Sequence, residues 1–573
     1  MSLVPLLSGL LLGSSLVLAT PSASVMHLEA HVNDPMSHGS LGDGLLSLDE
    51  AIQLANGTLT VGQLSAAEAG QITGTGTSVN HVILDPTITG TITVESPLTP
   101  ITGSGNGLVE IEGLLVPTVA GTQQMVLLLG GNNAHVLALR THEVVVRGLH
   151  FDAGQIAIDV KTAMMGMGGG MGGGMGGHGS GGMAMVDECD MHGQTVAGIK
   201  LHGSGADESG VMLHHVHFHQ MARGVFVDDQ TTTGHTMFEA EHVHMEHVDL
   251  AAEQMTNGQG GAMSMLMFFR SHIEGGKNFI RARRGTGSAQ QFMIRVVHCE
   301  VHTTEDAIDV QGGPNGMSMI HHHVSEIHAG FGFKAMYLWP KSSVFDYHGT
   351  EVDFEGDVMV QANLFTQRVY QHNNEYRNGT ITFDTDGALP NLMWNRFENC
   401  QIVVPNAALA QVRLRSSELT NSSVTAQSIL APVTLEGCYS SGLNLFGQVT
   451  DVNPAPAKFL GRGSVTPNHV MPGGSFQLDS NVPADMGLVW IFTMSIDRPN
   501  TVQEPVRYYG DPQTMVVVPG IFQGQSTLPV TVPSDPGLLG LEAYVQGGVI
   551  PLNGQSYAPA YNLPKGSLLR VGH

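Results

Sequence analysis

Histidines and carboxylates recur through the middle of this chain at a spacing suited to holding a metal ion. Of 29 histidines, most lie between His135 and His348. Polar residues return there about every 27 positions, a period at which stacked structural units bring equivalent side chains together. One such column reads His150, Asp190, His217, His244, His272 and Glu300. Its neighbour reads His192, His219, Glu246, Glu274, His302 and His328. Imidazole beside carboxylate is a Zn, Cu or Ni environment. The candidate ligands are His215, His217, His219, His242, His244 and His272. No spacing here matches a recognised metal motif, and the competing reading is a solvated polar ladder on a sheet face.

Two further groups have chemical potential. Met164, Met165, Met167, Met171, Met175, Met183 and Met185 surround His178 in a Gly-rich stretch. Thioethers with an imidazole suit Cu(I), while the same composition also describes a projecting loop with adaptable apolar side chains. The other group is charged: Asp249, Arg281, Asp309 and Lys334, expected on successive units, with Arg283, Arg284 and Asp306 nearby. Within it, Arg281, Asp306, Asp309 and Lys334 are the candidate catalytic residues, because eliminating across a uronate needs a cation at the carboxylate and a base for the α-proton. Alternating charges on stacked strands also form a purely structural ion ladder.

Short strands must position these residues. From about Val144 to Leu445 one phrase recurs, alternating inward apolar residues or Cys with outward polar ones: Gly148-Leu149-His150-Phe151, Glu188-Cys189-Asp190-Met191, His215-Val216-His217-Phe218, His242-Val243-His244-Met245, His298-Cys299-Glu300-Val301 and Asn399-Cys400-Gln401-Ile402. Two-residue alternation makes these strands, not helices. A second strand follows each, as in Ile156-Ala157-Ile158-Asp159-Val160, Gly224-Val225-Phe226-Val227 and Ala307-Ile308-Asp309-Val310. Units of roughly 22 to 28 residues with two or three strands and no helical pattern predict an all-β fold, a right-handed parallel β-helix. No Leu-rich-repeat asparagine phrase, helix pair or Trp-Asp blade signature is present.

Ser47-Leu48-Asp49-Glu50-Ala51-Ile52 with Ala55-Asn56, followed by His81-Val82-Ile83-Leu84-Asp85, is similar to the SLREAI…AN motif of bacterial surface β-helix proteins, with Asp49 where that group usually carries Arg. The resemblance covers roughly the first hundred residues of the mature chain and implies a short amphipathic helix capping the open end of the stack. The coil pattern also resembles the pectin-lyase-like superfamily. That likeness implies acidic residues, often with Ca, and an Arg or Lys base on the face carrying Arg281, Asp306, Asp309 and Lys334; the superfamily's specific active-site phrases are absent.

A formal net charge of -26 in 573 residues argues against nucleic acid as a partner, because neutralising phosphates needs a basic face. Leu3 to Ala19 is an apolar run that reads as a secretory signal. Export would favour disulfides, yet Cys189, Cys299, Cys400 and Cys438 all fall at inward positions. Cys400 and Cys438, taken as two coils apart, would stand roughly 9 to 10 Å from each other, so all four are expected to be buried free thiols. Asn453-Pro454-Ala455-Pro456 interrupts the coil pattern, and the Pro- and Gly-punctuated strands beyond predict a β-sandwich. The expected organisation is a signal at 1–19, cap and first coils at 20–130, β-helix at 131–450, linker at 451–464 and sandwich at 465–573. These features together point to a secreted or cell-surface protein that binds carbohydrate, a polysaccharide or another cell-surface component, with metal binding through the histidine face. The alternative is a lyase or hydrolase acting on an acidic glycan.

Overall fold

The computed structural model describes residues 28–571 apart from loop segments, of which 164–182 and 552–566 are the longest. The Leu3–Ala19 run and most of the methionine stretch, with His178, therefore lie outside the described residues.

One continuous ladder of 40 strands winds through the chain as a parallel β-helix. Each coil contributes three strands. The first face includes Val144–Arg147, Ala184–Asp187, Ser209–His214, His235–Glu241 and Met263–Phe269, each paired in parallel with its counterpart one coil on. The second face stacks Leu149–Asp152, Asp190–His192, His217–His219, His244–Glu246 and His272–Gly276. The third stacks Ile156–Ala163, Ala197–Gly205, Arg223–Thr231, Leu250–Thr256 and Asn278–Arg284. Parallel strands joined by such crossovers wind right-handed. Side chains bonded across one coil are 27 or 28 residues apart in the middle of the stack and 21 or 22 apart in the later coils.

Sharp corners separate the faces, and the backbone pays for them with left-handed residues. Glu188, His215, His242, Arg270 and His298 occupy the corner between the first and second faces with φ between 48° and 58°. Ala153, Gln220, His247, Asn378, Asn399 and Asn421 do the same between the second and third. Asn and His tolerate this region better than most residues, which accounts for part of the histidine enrichment without any chemistry.

Inward positions build a dry core. On the second face Phe151, Met191, Phe218, Met245, Ile273 and Val301 follow one another, all buried. Farther on, Phe354, Tyr376 and Phe397 stack with ring centroids 5.3 and 4.9 Å apart. Truncating any of these aromatics costs about 3–5 kcal/mol. At the N-terminal end the Leu48–Ala55 helix buries Leu48, Ala51, Ile52 and Leu54 against the coils and starts with a capping box between Ser47 and Glu50. Asp49, the departure from the surface-protein motif, is itself buried. It accepts from the Gln53 amide at 2.7 Å and the Thr99 N–H at 2.6 Å.

All four cysteines are buried and free. Cys400 differs from the other three in its place on the coil. Cys189, Cys299 and Cys438 each precede a second-face strand, whereas Cys400 precedes the third-face strand Gln401–Val404. The same short phrase serves both corners, so the phrase alone could not tell them apart.

Beyond the last coil strand, Val449–Val452, two further sheets form a sandwich. One is antiparallel and joins Arg462–Thr466, Ser475–Asn481 and Gln525–Thr531. The other is built on Met486–Met494, Glu542–Pro551 and Ser567–Val571. Phe476, Leu478 and Val530 of the first pack with Trp490, Phe492, Val545 and Leu569 of the second.

Candidate functional site

Alternation on the second face points every other residue outward, and pairing one coil to the next aligns those residues into two columns. His150 pairs with Asp190, then His217, His244, His272 and Glu300 in turn. Beside it run Asp152, His192, His219, Glu246, Glu274, His302 and His328.

Within the columns, imidazoles meet both carboxylates and one another. His192 Nδ1 lies 2.8 Å from Asp152, and His219 spans Asp190 at 3.3 Å and Glu246 at 3.4 Å. His272 likewise spans Glu300 at 3.3 Å and Glu274 at 3.4 Å. Ring centroids of His217 and His244 are 5.4 Å apart, and those of His244 and His272 are 5.1 Å apart. His244 Nε2 is buried with no hydrogen-bond partner among the described residues.

Proton affinities follow these contacts. Desolvation, then the charges of His272 and His217, hold His244 below the usual imidazole value. Desolvation lowers His217 and His215 as well, though both are exposed at their rims and solvent moderates the effect. His192 moves upward because Asp152 accepts from it. Burial raises Glu300, but hydrogen bonding from His302 and the charge of His272 outweigh it and the carboxyl titrates below its ordinary range. A neutral imidazole can ligate a metal and a protonated one cannot, so the middle of the first column is chemically ready.

Three clusters among the described residues bring possible ligand atoms within 4.8 Å of one another: His244, His272 and Glu274; Asp187, His214 and His215; and His81, Glu110 and Glu112. His244 and His272 are thus brought together. His217 and His219 stand one coil earlier on the same face, while His215 and His242 lie at the corner. Asp187 and His214, at the end of first-face strands, escape a reading centred on the second face. The same 27-residue offset that marks the columns also links them.

Toward the later coils the face opens into a groove of about 630 Å³ lined by His272, Glu274, Glu300, His302, His328 and Glu355. The His302 and His328 rings stack there, 4.6 Å apart and 7° from parallel. Among the described residues no aromatic carbon ring, the usual platform for a sugar, lines it.

The charged set on the third face is only partly assembled. Arg281, Asp309 and Lys334 are in register on successive coils, but Glu253 precedes Arg281, not Asp249. Asp249 falls in the turn before Leu250–Thr256, where it pairs with Lys277 at 3.1 Å. The Lys334 side chain lies outside the described residues. Asp306 opens its strand, with its N–H donating to Asn278 Oδ1 at 3.3 Å. Asp309 is 7% exposed and clamped by Arg283, whose guanidinium holds both its carboxylate and its backbone carbonyl. Arg140 grips Asp159 in the same way, at 2.5 Å and 2.9 Å. The same clamp on two distant coils is what the structural ion ladder predicts, and it engages the Asp309 carboxylate.

No protein-family model and no curated protein matches the chain. A solved structure similar to it is the enzymatically active domain of tailspike protein 4 from bacteriophage CBA120, at 11% identity and a TM-score of 0.16. That similarity covers 80% of this chain and 60% of the tailspike domain. The fold assignment rests on the ladder register, not on this likeness.

Proposed function

We propose that this chain is a metal-binding surface protein, a parallel β-helix that presents transition-metal ligands along its second face. One observation carries the reading: His244, whose Nε2 is buried without a hydrogen-bond partner among the described residues, brings a ligand atom within 4.8 Å of those of His272 and Glu274. Leaving a buried polar atom unsatisfied costs about 1–3 kcal/mol, and a bound cation removes that cost. Two imidazoles with one carboxylate suit Zn, Cu or Ni better than Ca, which takes oxygen donors. The apolar Leu3–Ala19 run supports export to the cell surface. Equilibrium dialysis of the full chain against Zn²⁺, Cu²⁺ and Ni²⁺ tests the reading. Saturable binding that falls on replacing His244 and His272 supports it; wild-type protein that retains no ion refutes it.

A second reading, recognition of a polysaccharide or other cell-surface component, is favoured by the 630 Å³ groove on the same face. Its carboxylates and the net charge of -26 repel an acidic glycan unless a cation bridges them. A glycan panel run with and without Zn²⁺, read for binding and for new unsaturated or reducing ends, separates binding from lyase or hydrolase action.

A further inference from the structure

We propose that the groove on the later coils of the second face binds a linear aliphatic polyamine, laid along the stack with its ammonium groups on successive coils. The proposal depends on neither the metal site nor glycan recognition, because its key residues, Glu300 and Glu355, lie outside the His244 cluster.

Charge is the first argument. Glu274, Glu300 and Glu355 line the groove, and among the described residues no Lys or Arg does. All three side chains are about half exposed and so open to a ligand. Glu300 lies 3.3 Å from His272 and 3.0 Å from His302, while Glu355 lies 2.9 Å from His328 and accepts from the Asn378 amide at 3.3 Å. Neutral imidazoles leave the carboxylate charge uncancelled. The register carries the pattern on, from Glu300 through Glu326 and Asp353 to Glu375 on successive coils. A structural ion ladder alternates in sign, whereas like charges on paired strands are unfavourable. At Glu375 guanidinium groups answer, from Arg377 at 3.0 Å and Arg396 at 3.2 Å, and the acidic run ends.

Hydrogen bonding and spacing narrow the ligand. A neutral imidazole that donates one N–H to a carboxylate keeps its other nitrogen as an acceptor, so His302 and His328 add acceptors to those of the glutamates. Thr303 lines the groove, is 8% exposed and leaves Oγ1 without a hydrogen-bond partner among the described residues. Such a wall suits a ligand rich in donors and free of negative charge. From Glu274 through His302, His328 and Glu355 to Asn378 the groove crosses four coil steps, roughly 19 Å. Amines joined by three methylenes stand about 5 Å apart by ordinary bond lengths, close to the ~4.8 Å between coils. Beyond His272 and Glu274, none of these residues belongs to a ligand cluster within 4.8 Å. Spaced cations therefore fit where a single ion does not.

The test is isothermal titration of the metal-free full chain at about pH 8, where an ordinary imidazole is neutral. Propane-1,3-diamine, norspermidine and spermine are compared, and affinity should rise about tenfold with each added ammonium group. A lysine oligomer matching spermine in charge should bind more weakly, since its ammonium groups do not keep the coil spacing. Glu300→Gln with Glu355→Gln should weaken spermine at least about tenfold at an unchanged melting temperature. Glu95→Gln with Glu143→Gln, the same change of charge outside the groove, should leave it unaltered. Equal weakening in both double variants would reduce the effect to general attraction by an acidic protein and overturn the proposal. So would equal affinity for diamine and spermine, tighter binding of the lysine oligomer, or no heat with any amine.

Discussion

His244 and His272 meet edge to plane across one coil, their ring centroids 5.1 Å apart and their planes at 86°. Two rings in that relationship cannot both be protonated cheaply, and a shared cation relieves them. At a hundred times its dissociation constant, Zn²⁺ bound only to the folded chain adds about 2.7 kcal/mol of stability. The expected result is a rise in melting temperature with Zn²⁺ at neutral pH. Replacing His217, His244 and His272 together should abolish most of it. An undiminished shift in the triple variant returns the face to a solvated ladder.

Without metal, the same histidines make stability depend on pH. His217 and His244 bind protons less readily in the folded chain than an ordinary imidazole near 6.5. The unfolded chain therefore takes up more protons as pH falls below about 6.5, and their contribution to stability is complete above that value and lost beneath it. His192 and His214, shifted upward by Asp152 and Asp187, act in the opposite sense. The clean measurement is the difference between wild type and His244→Gln in chelator. Wild type should lose stability relative to the variant between about pH 6.5 and pH 5, and parallel profiles would contradict the assignment.

Period and alternation made the second face readable, because residues one coil apart share an environment and so share a polarity. His150 to Glu300 and His192 to His328 fall in register for that reason. What periodicity could not resolve is which of two corners a phrase belongs to. Cys400 precedes the third-face strand Gln401–Val404, yet its phrase reads like those of Cys189 and Cys299 because in all three a left-handed polar residue stands before the buried cysteine. Asp249 was misplaced by the turn before Leu250, which adds residues to the count without adding to the strand. Asp187 and His214 needed the first face, where the strongly alternating phrase is absent.

Burial decides the chemistry of the thiols. Desolvation pushes Cys189 and Cys299 up to about 12 and Cys438 up to about 11, and raises Cys400 as well. Thiolate, the reactive form, is thus scarce and shielded in the folded chain. A thiol reagent should modify all four cysteines in denaturant without prior reduction, and none readily under native conditions. A crosslink between Cys400 and Cys438 by mass spectrometry would contradict their placement at different corners.

The Arg140–Asp159 clamp predicts an acid limb. Burial disfavours the Asp159 carboxylate, yet hydrogen bonds from His202 and Arg140 prevail and lower it from 3.8 to about 2. Its stabilisation is therefore present above the unfolded value near 4 and is lost as pH falls toward 2, a contribution on the order of 2 kcal/mol. Asp159→Asn should lower the melting temperature at pH 7, and the gap from wild type should close between about pH 4 and pH 2. Asp309 is gripped by Arg283 through the same two contacts. Asp309→Asn separates structure from catalysis. A lower melting temperature with unchanged glycan processing or binding supports a structural clamp, whereas loss of turnover at wild-type stability would mark Asp309 as a catalytic residue.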